Sequence, residues 1–236
     1  MVAADAVYLH AAPTGGLVLD NSGISGGSVY TLTQNGVITG SIAAKFPHLS
    51  GIPAWELDAG DAALAPDLLK GQIAVSAFAA DTLVDATGLQ IPGVLDDLYA
   101  ADAYSETLGV VWIGDAPTLN LWAPTAKSVT LHLFDDADPS TTSVTETMTL
   151  DADSGIWSIT GDSSWKNQYY LYEVEVYVHS TGMVEHNLVT DPYSFQPGDE
   201  QHPQPDRRPG RPGAGPIWLG YAGKTASGEP GRHHHL

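Results

Sequence analysis

Cysteine is absent from all 236 residues, which excludes disulfides and thiolate metal centres while leaving the compartment open. Positive charge is scarce: nine lysines and arginines face 28 aspartates and glutamates, for a formal net charge of -19. Such a surface repels phosphate backbones and anionic headgroups, so neither nucleic acid nor a membrane surface is an expected partner. Neutral ligands stay open. No window approaches the roughly eighteen consecutive apolar residues of a membrane-spanning helix. The opening residues, Met1-Val-Ala-Ala-Asp-Ala-Val-Tyr, lack the basic stretch and apolar core of an export signal, so none is expected and the localisation stays undefined. Arginine is missing before residue 195, and the four that exist are Arg207, Arg208, Arg211 and Arg232.

What is present is ample for a core, with 43% apolar residues. Short runs rich in β-branched and aromatic residues recur about every ten positions, punctuated by Gly, Asn and Pro. In the first half they are Ala6–His10, Gly16–Asp20, Ser28–Thr33, Gln72–Phe78 and Thr82–Asp85; Val94–Ala101 reads as a short helix and hinge. In the second half they are Thr118–Trp122, Ser128–Phe134, Thr145–Leu150, Ile156–Ile159 and Tyr169–Val178. This rhythm predicts an all-β protein of two tandem immunoglobulin-like β-sandwich domains, residues 1–100 and 101–194, each near a hundred residues. Pro124 ends a strand because it has no N–H to give a ladder, and Trp122, Leu131 and Leu133 are expected to share a buried face. On the long strand Tyr170, Tyr172, Val174 and Val176 fall on one side, Leu171, Glu173 and Glu175 on the other.

Certain stretches are more specific than any strand. Leu119-Asn-Leu-Trp-Ala-Pro-Thr-Ala126, the Ser154-Gly-Ile-Trp157 hairpin, Trp165 before the tyrosine-rich strand, and Val189-Thr-Asp-Pro-Tyr-Ser194 together resemble carbohydrate-binding module family 48, in the version carried by bacterial pullulanases of glycoside hydrolase family 13. Phe46-Pro-His-Leu49, Leu68-Leu-Lys-Gly-Gln72 and Ile91-Pro-Gly-Val-Leu-Asp-Asp-Leu-Tyr99 resemble the smaller β-domain that precedes that module. The resemblance implies a debranching enzyme that cuts α-1,6 links in pullulan and branched starch, using carboxylates on a barrel that follows these modules.

Catalysis of that kind needs two carboxyl groups flanking the scissile bond, one with a raised pKa. Asp96-Asp97, Asp135-Asp136 and Asp151-Ala-Asp153 sit in turn-like contexts, so no catalytic residue is expected in this chain. Asp151-Ala-Asp-Ser-Gly155 begins like a calcium loop but lacks the later ligands, and His233-His-His235 is a terminal tract, so neither a metal nor another cofactor is expected. An α-glucan is the plausible partner, because aromatic faces stack on glucose rings while polar groups catch hydroxyls. Trp122 and Trp157, lying in strands, are expected in the core. Trp165, Lys166 and Asn167 are the candidate carbohydrate-binding residues. Glycogen-binding relatives of the module use two exposed tryptophans with a lysine, and Thr181-Gly-Met-Val184 holds no second tryptophan, which weights the reading toward a packing module.

Residues 195–236 carry every arginine, seven of the 16 prolines and eight of the 25 glycines, without periodicity, and are expected to be disordered and to supply no core. Codons for Arg207-Arg-Pro-Gly-Arg-Pro212, read one base later, can spell Val-Asp-Leu-Asp-Asp-Pro, as a pullulanase has there. A frameshift after Ser194 that truncates the protein is the expected origin of this tail. Surface left uncovered by a barrel is expected to drive self-association.

Overall fold

The computed structural model describes residues 4–194 and 216–219. They fall into two units: residues 4–98 with 124–127 and 175–185, and residues 99–123, 128–174, 186–194 and 216–219. Both are built mainly of antiparallel strands, in the two-sandwich class the strand rhythm predicts, and the first also carries short helical turns between residues 40 and 68.

The first unit contains β1 (Ala6–Ala12), β2 (Val18–Asp20), β3 (Gly23–Ser25), β4 (Ser28–Val37), β5 (Pro53–Glu56), β6 (Gln72–Ala79) and β7 (Thr82–Gly88). Its main sheet runs β5-β4-β1-β6-β7, with β2 and β3 as a separate hairpin. Central β1 is covered on both faces: Val7, Leu9 and Ala11 are buried on one, His10 on the other. His10 meets that burial with a hydrogen bond between Nε2 and Ser76 Oγ at 2.8 Å, and loss of water pushes its pKa down. Ala11, Leu69 and Ile73 form a small core against which Val94 and Leu95 pack from the helix Pro92–Ala103. Pro92 fits the first helical position because no intrahelical partner awaits its absent N–H. β6 and β7 are joined by Ala80 and Asp81, both at positive φ (47° and 64°), a turn that normally selects Asn-Gly. The Asp5 carboxylate steadies it by accepting from the Ala80 N–H at 2.9 Å.

The second unit contains β8 (Gly109–Ile113), β9 (Ala116–Trp122), β10 (Ser128–Phe134), β11 (Val144–Thr147), β12 (Thr149–Asp151) and β13 (Ile156–Thr160). It also takes in β16 (Ile217–Trp218) and parts of β14 (Tyr169–Val178) and β15 (Met183–Val189). One sheet runs β12-β13-β9-β8; the other runs β11-β10-β14-β15, with β16 also beside β14. Leu119, Leu121 and Trp157 from the first meet Val129, Leu131, Leu133, Tyr170 and Tyr172 from the second as the buried set. Thr145–Leu150, expected as one strand, is two: at Met148 the chain leaves the sheet of β10 for that of β13. Met148 sits at this corner 3% exposed, its N–H donating to the Val129 carbonyl at 3.0 Å.

Two placements differ from the sequence reading. Trp122 does not share the face of Leu131 and Leu133. Because strand side chains alternate, burying Leu119 and Leu121 turns Trp122 outward. There it is half-buried on the same face as Ile156, and its Nε1–H donates to the Ser154 carbonyl at 3.0 Å. The second difference concerns residues 195–236. Most lie outside the described residues, but Pro216–Leu219 are described, and Ile217 (6% exposed) and Leu219 (1%) are part of the core. The expectation that this segment supplies no core does not extend to these four.

Candidate carbohydrate-binding site

Trp165, Lys166 and Asn167 lie on the connection from β13 to β14, and its geometry is set locally. Gly161 donates its N–H to the Pro117 carbonyl at 2.9 Å, anchoring the start. Asp162 then caps the short 3₁₀ turn Ser163–Trp165, its Oδ1 accepting from the Ser164 N–H at 2.7 Å. The Ser164 hydroxyl and amide together hold this carboxyl below its ordinary value. The Trp165 indole rests where a side chain at Gly161 would be, so only glycine leaves it room. Trp165 is half-buried, while Lys166 and Asn167 are exposed. Lys166 Nζ lies 3.2 Å from Asp115 Oδ1 in the β8–β9 turn. Asn167 takes a left-handed conformation (φ 69°), which its short polar side chain tolerates. A half-buried indole flanked by an exposed amide and an ammonium is an arrangement able to meet a sugar ring, although the ammonium already has a carboxylate partner.

The Thr-Asp-Pro-Tyr-Ser stretch has a structural purpose that sequence alone does not disclose. The Asp191 carboxylate, 3% exposed, accepts from Tyr170 Oη at 2.8 Å through Oδ2 and from the Tyr193 N–H at 2.7 Å through Oδ1. Burial raises its pKa, against the opposing pull of those two donors. Tyr170 titrates well above its usual value, chiefly through burial. Tyr172 beside it is fully buried with no hydrogen-bond partner for its Oη. So the motif closes the module by locking the chain after β15 onto the start of β14.

A second polar cluster was not expected from sequence. Glu173 on β14 bridges two histidines, Oε2 to His132 Nε2 and Oε1 to His186 Nδ1, each at 3.0 Å. Hydrogen bonding to His186 and then His132 draws the Glu173 pKa down. The three residues stand on β10, β14 and β15, separated by 41 and 13 positions, which is why no local pattern announces them. Among the described residues no group of His, Asp or Glu is arranged to hold a metal ion.

The carboxyl groups of the sequence analysis stay apart from one another's work. Asp96 and Asp97 are exposed on the helix Pro92–Ala103. Asp136 and Asp151 accept from their own turns, Asp151 from Ser154 Oγ at 2.7 Å, so Asp151–Gly155 is a hairpin turn. A groove of about 270 Å³ in the first unit is lined by Leu17, Leu19, Ile24, Gln72, Ile73 and Thr87 among others, none of them acidic.

As a class, the fold is that of two tandem β-sandwich modules. Residues 1–97 belong to the Pullulanase N2 domain family and residues 107–194 to carbohydrate-binding module 48, the isoamylase N-terminal domain. The chain is 34% identical over 197 residues to the chloroplastic pullulanase 1 of Arabidopsis thaliana, covering 79% of this chain and 19% of that one. It is 36% identical over 158 residues to a pullulanase of Klebsiella pneumoniae, covering 66% of this chain and 14% of the other. The crystal structure of apo pullulanase from Klebsiella pneumoniae superposes with a TM-score of 0.71 at 32% identity, over 81% of this chain and 20% of that one. The chain thus spans a fifth or less of these relatives and matches their non-catalytic N-terminal region. No described helix is long and apolar enough to cross a membrane.

Proposed function

We propose that these residues are a non-catalytic module pair of a pullulanase-type debranching enzyme, whose role is to pack on and position a catalytic barrel. The observation that carries this reading is the use of the conspicuous aromatic and acidic groups. Tyr170, Tyr172 and Trp157 are inside the sandwich, and the carboxyl that burial pushes upward, Asp191, is sealed against Tyr170. A carboxyl engaged inside a core cannot protonate a glycosidic oxygen. Purified protein incubated with pullulan is expected to release no reducing sugar; release would overturn the reading. The frameshift after Ser194 remains part of this proposal, supported by the confinement of arginine to residues 207–232. The downstream nucleotide sequence tests it, since early stop codons in the shifted frame would end it.

A second reading is supported by the half-exposed indole of Trp165 with Lys166 and Asn167 beside it: the module binds α-glucan by itself. Affinity electrophoresis in soluble starch or glycogen separates the two readings. Retardation that Trp165→Ala abolishes supports binding, and unchanged mobility of the parent chain removes it.

A further inference from the structure

β14 is ten residues long and its sheet neighbour β15 is seven. Seven residues cannot face all ten, and β14 has an edge free to take another strand at Tyr169 and Tyr170. An open stretch of strand edge exposes unpaired N–H and C=O groups and invites another strand. In this protein Pro216–Leu219 takes that edge. Ile217 stands opposite Tyr170 and Trp218 opposite Tyr169, in antiparallel register. The Leu219 N–H donates to the Gln168 carbonyl at 2.7 Å, and the Asn167 N–H donates to the Leu219 carbonyl at 3.1 Å. Directly opposed residues share a face, so Ile217 joins Tyr170 on the core side and Leu219 follows by alternation. Both are buried, and Trp218, on the other face, is half-buried. Pro216 sits just before the strand, where its missing N–H interrupts no ladder.

We propose that the Asn167–Leu171 edge is a strand-docking slot that takes a short extended segment of the form Ile-x-Leu, and that Pro216–Leu219 occupies it in this chain whatever the reading frame from which the segment after Ser194 derives. Two backbone hydrogen bonds supply the register and two core-facing side chains the selectivity, the usual division of labour in β-augmentation. Because the 21 residues between Ser194 and Pro216 tether the segment, its effective concentration favours its own chain over a second copy. Occupancy also holds the Asn167 N–H, and with it the left-handed bend that follows Trp165. None of this depends on whether that loop meets a sugar.

Hydrogen exchange on the full-length chain, compared with Leu219→Asp and the milder Leu219→Ala, tests the proposal. Both substitutions are expected to speed exchange of the Asn167 amide at least about tenfold while the amides of β10 keep their protection. A peptide of residues 214–220 (Ala-Gly-Pro-Ile-Trp-Leu-Gly), added in excess to Leu219→Ala, is expected to restore it, and a scrambled peptide is not. Unchanged exchange at Asn167 in both variants overturns the slot. Equal rescue by the scrambled peptide overturns its selectivity. Protection in the parent chain that rises with protein concentration overturns the intramolecular resident.

Discussion

At the scale of single residues, two neighbouring tyrosines give opposite expectations. Removing the Tyr170 hydroxyl leaves the Asp191 carboxylate buried and short of a donor, so Tyr170→Phe is expected to cost about 1–3 kcal/mol in urea unfolding. Tyr172→Phe removes a hydroxyl that has no partner, and is expected to be neutral or to stabilise by up to about 1 kcal/mol. A loss in Tyr172→Phe matching that in Tyr170→Phe would show that the hydrogen bond from Tyr170 to Asp191 is not what distinguishes them. pH separates two carboxyls in the same way. Asp191 has a folded-state pKa above its unfolded value near 3.8, so its contribution is full below that value and declines as pH rises through the folded pKa. Glu173 is shifted downward from 4.5, so its contribution is present above that value and is lost as pH falls through the folded pKa. Urea midpoints between pH 2 and 7 should therefore lose the high-side decline in Asp191→Asn and part of the acid-side loss in Glu173→Gln. Gly161→Ala places a methyl group inside the Trp165 ring, and is expected to cost about 1–3 kcal/mol and to shift the tryptophan emission by freeing that indole. An unchanged spectrum would mean that the Trp165 ring is not displaced.

At the scale of elements, period-two alternation was legible where one strand face is buried. Ser128–Phe134 has the bounds the sequence predicts because Val129, Leu131 and Leu133 declare its face; Tyr169–Val178 also has its predicted bounds, although Leu171 is buried on the face opposite Tyr170 and Tyr172. Leu131→Ala in β10 is expected to cost about 2–5 kcal/mol, whereas Thr130→Ala, one residue away on the other face, stays within about 0.5 kcal/mol. Similar losses at both positions in thermal melts would refute the register. Strands β3, β5, β8 and β15 are passed over in the sequence reading, and in the last two the neighbouring strand does the defining. Gly109-Val-Val-Trp-Ile113 is an apolar run without alternation, and Met183-Val-Glu-His-Asn-Leu-Val189 has its polar residues in one central run, Glu185-His-Asn187, instead of alternating. Each becomes a strand because β9 or β14 offers an edge. Trp122 was misplaced for a related reason: its size argued for the interior, but the parity set by Leu119 and Leu121 left it outside.

At the scale of the whole molecule, a net charge of -19 opposes association, while Ile42, Phe46 and Ile52 are exposed within one short stretch of the first unit. Salt screens the first and leaves the second, so the chain is expected to elute as a monomer at low ionic strength and to self-associate near 0.5 M NaCl. Monomeric elution at both would remove the expectation of self-association. Composition, alternation and a few dense motifs determined by themselves the all-β class, two modules, the pullulanase-type resemblance and the candidate loop Trp165-Lys-Asn167, because these rest on side-chain type and spacing along the chain. Only the tertiary structure decided that Asp191 serves Tyr170, that Glu173 joins two histidines, and that Pro216–Leu219 enters a sheet. Those outcomes depend on which strand edges are left open and which groups long-range pairing brings within about 3 Å, and no stretch of neighbouring residues encodes either.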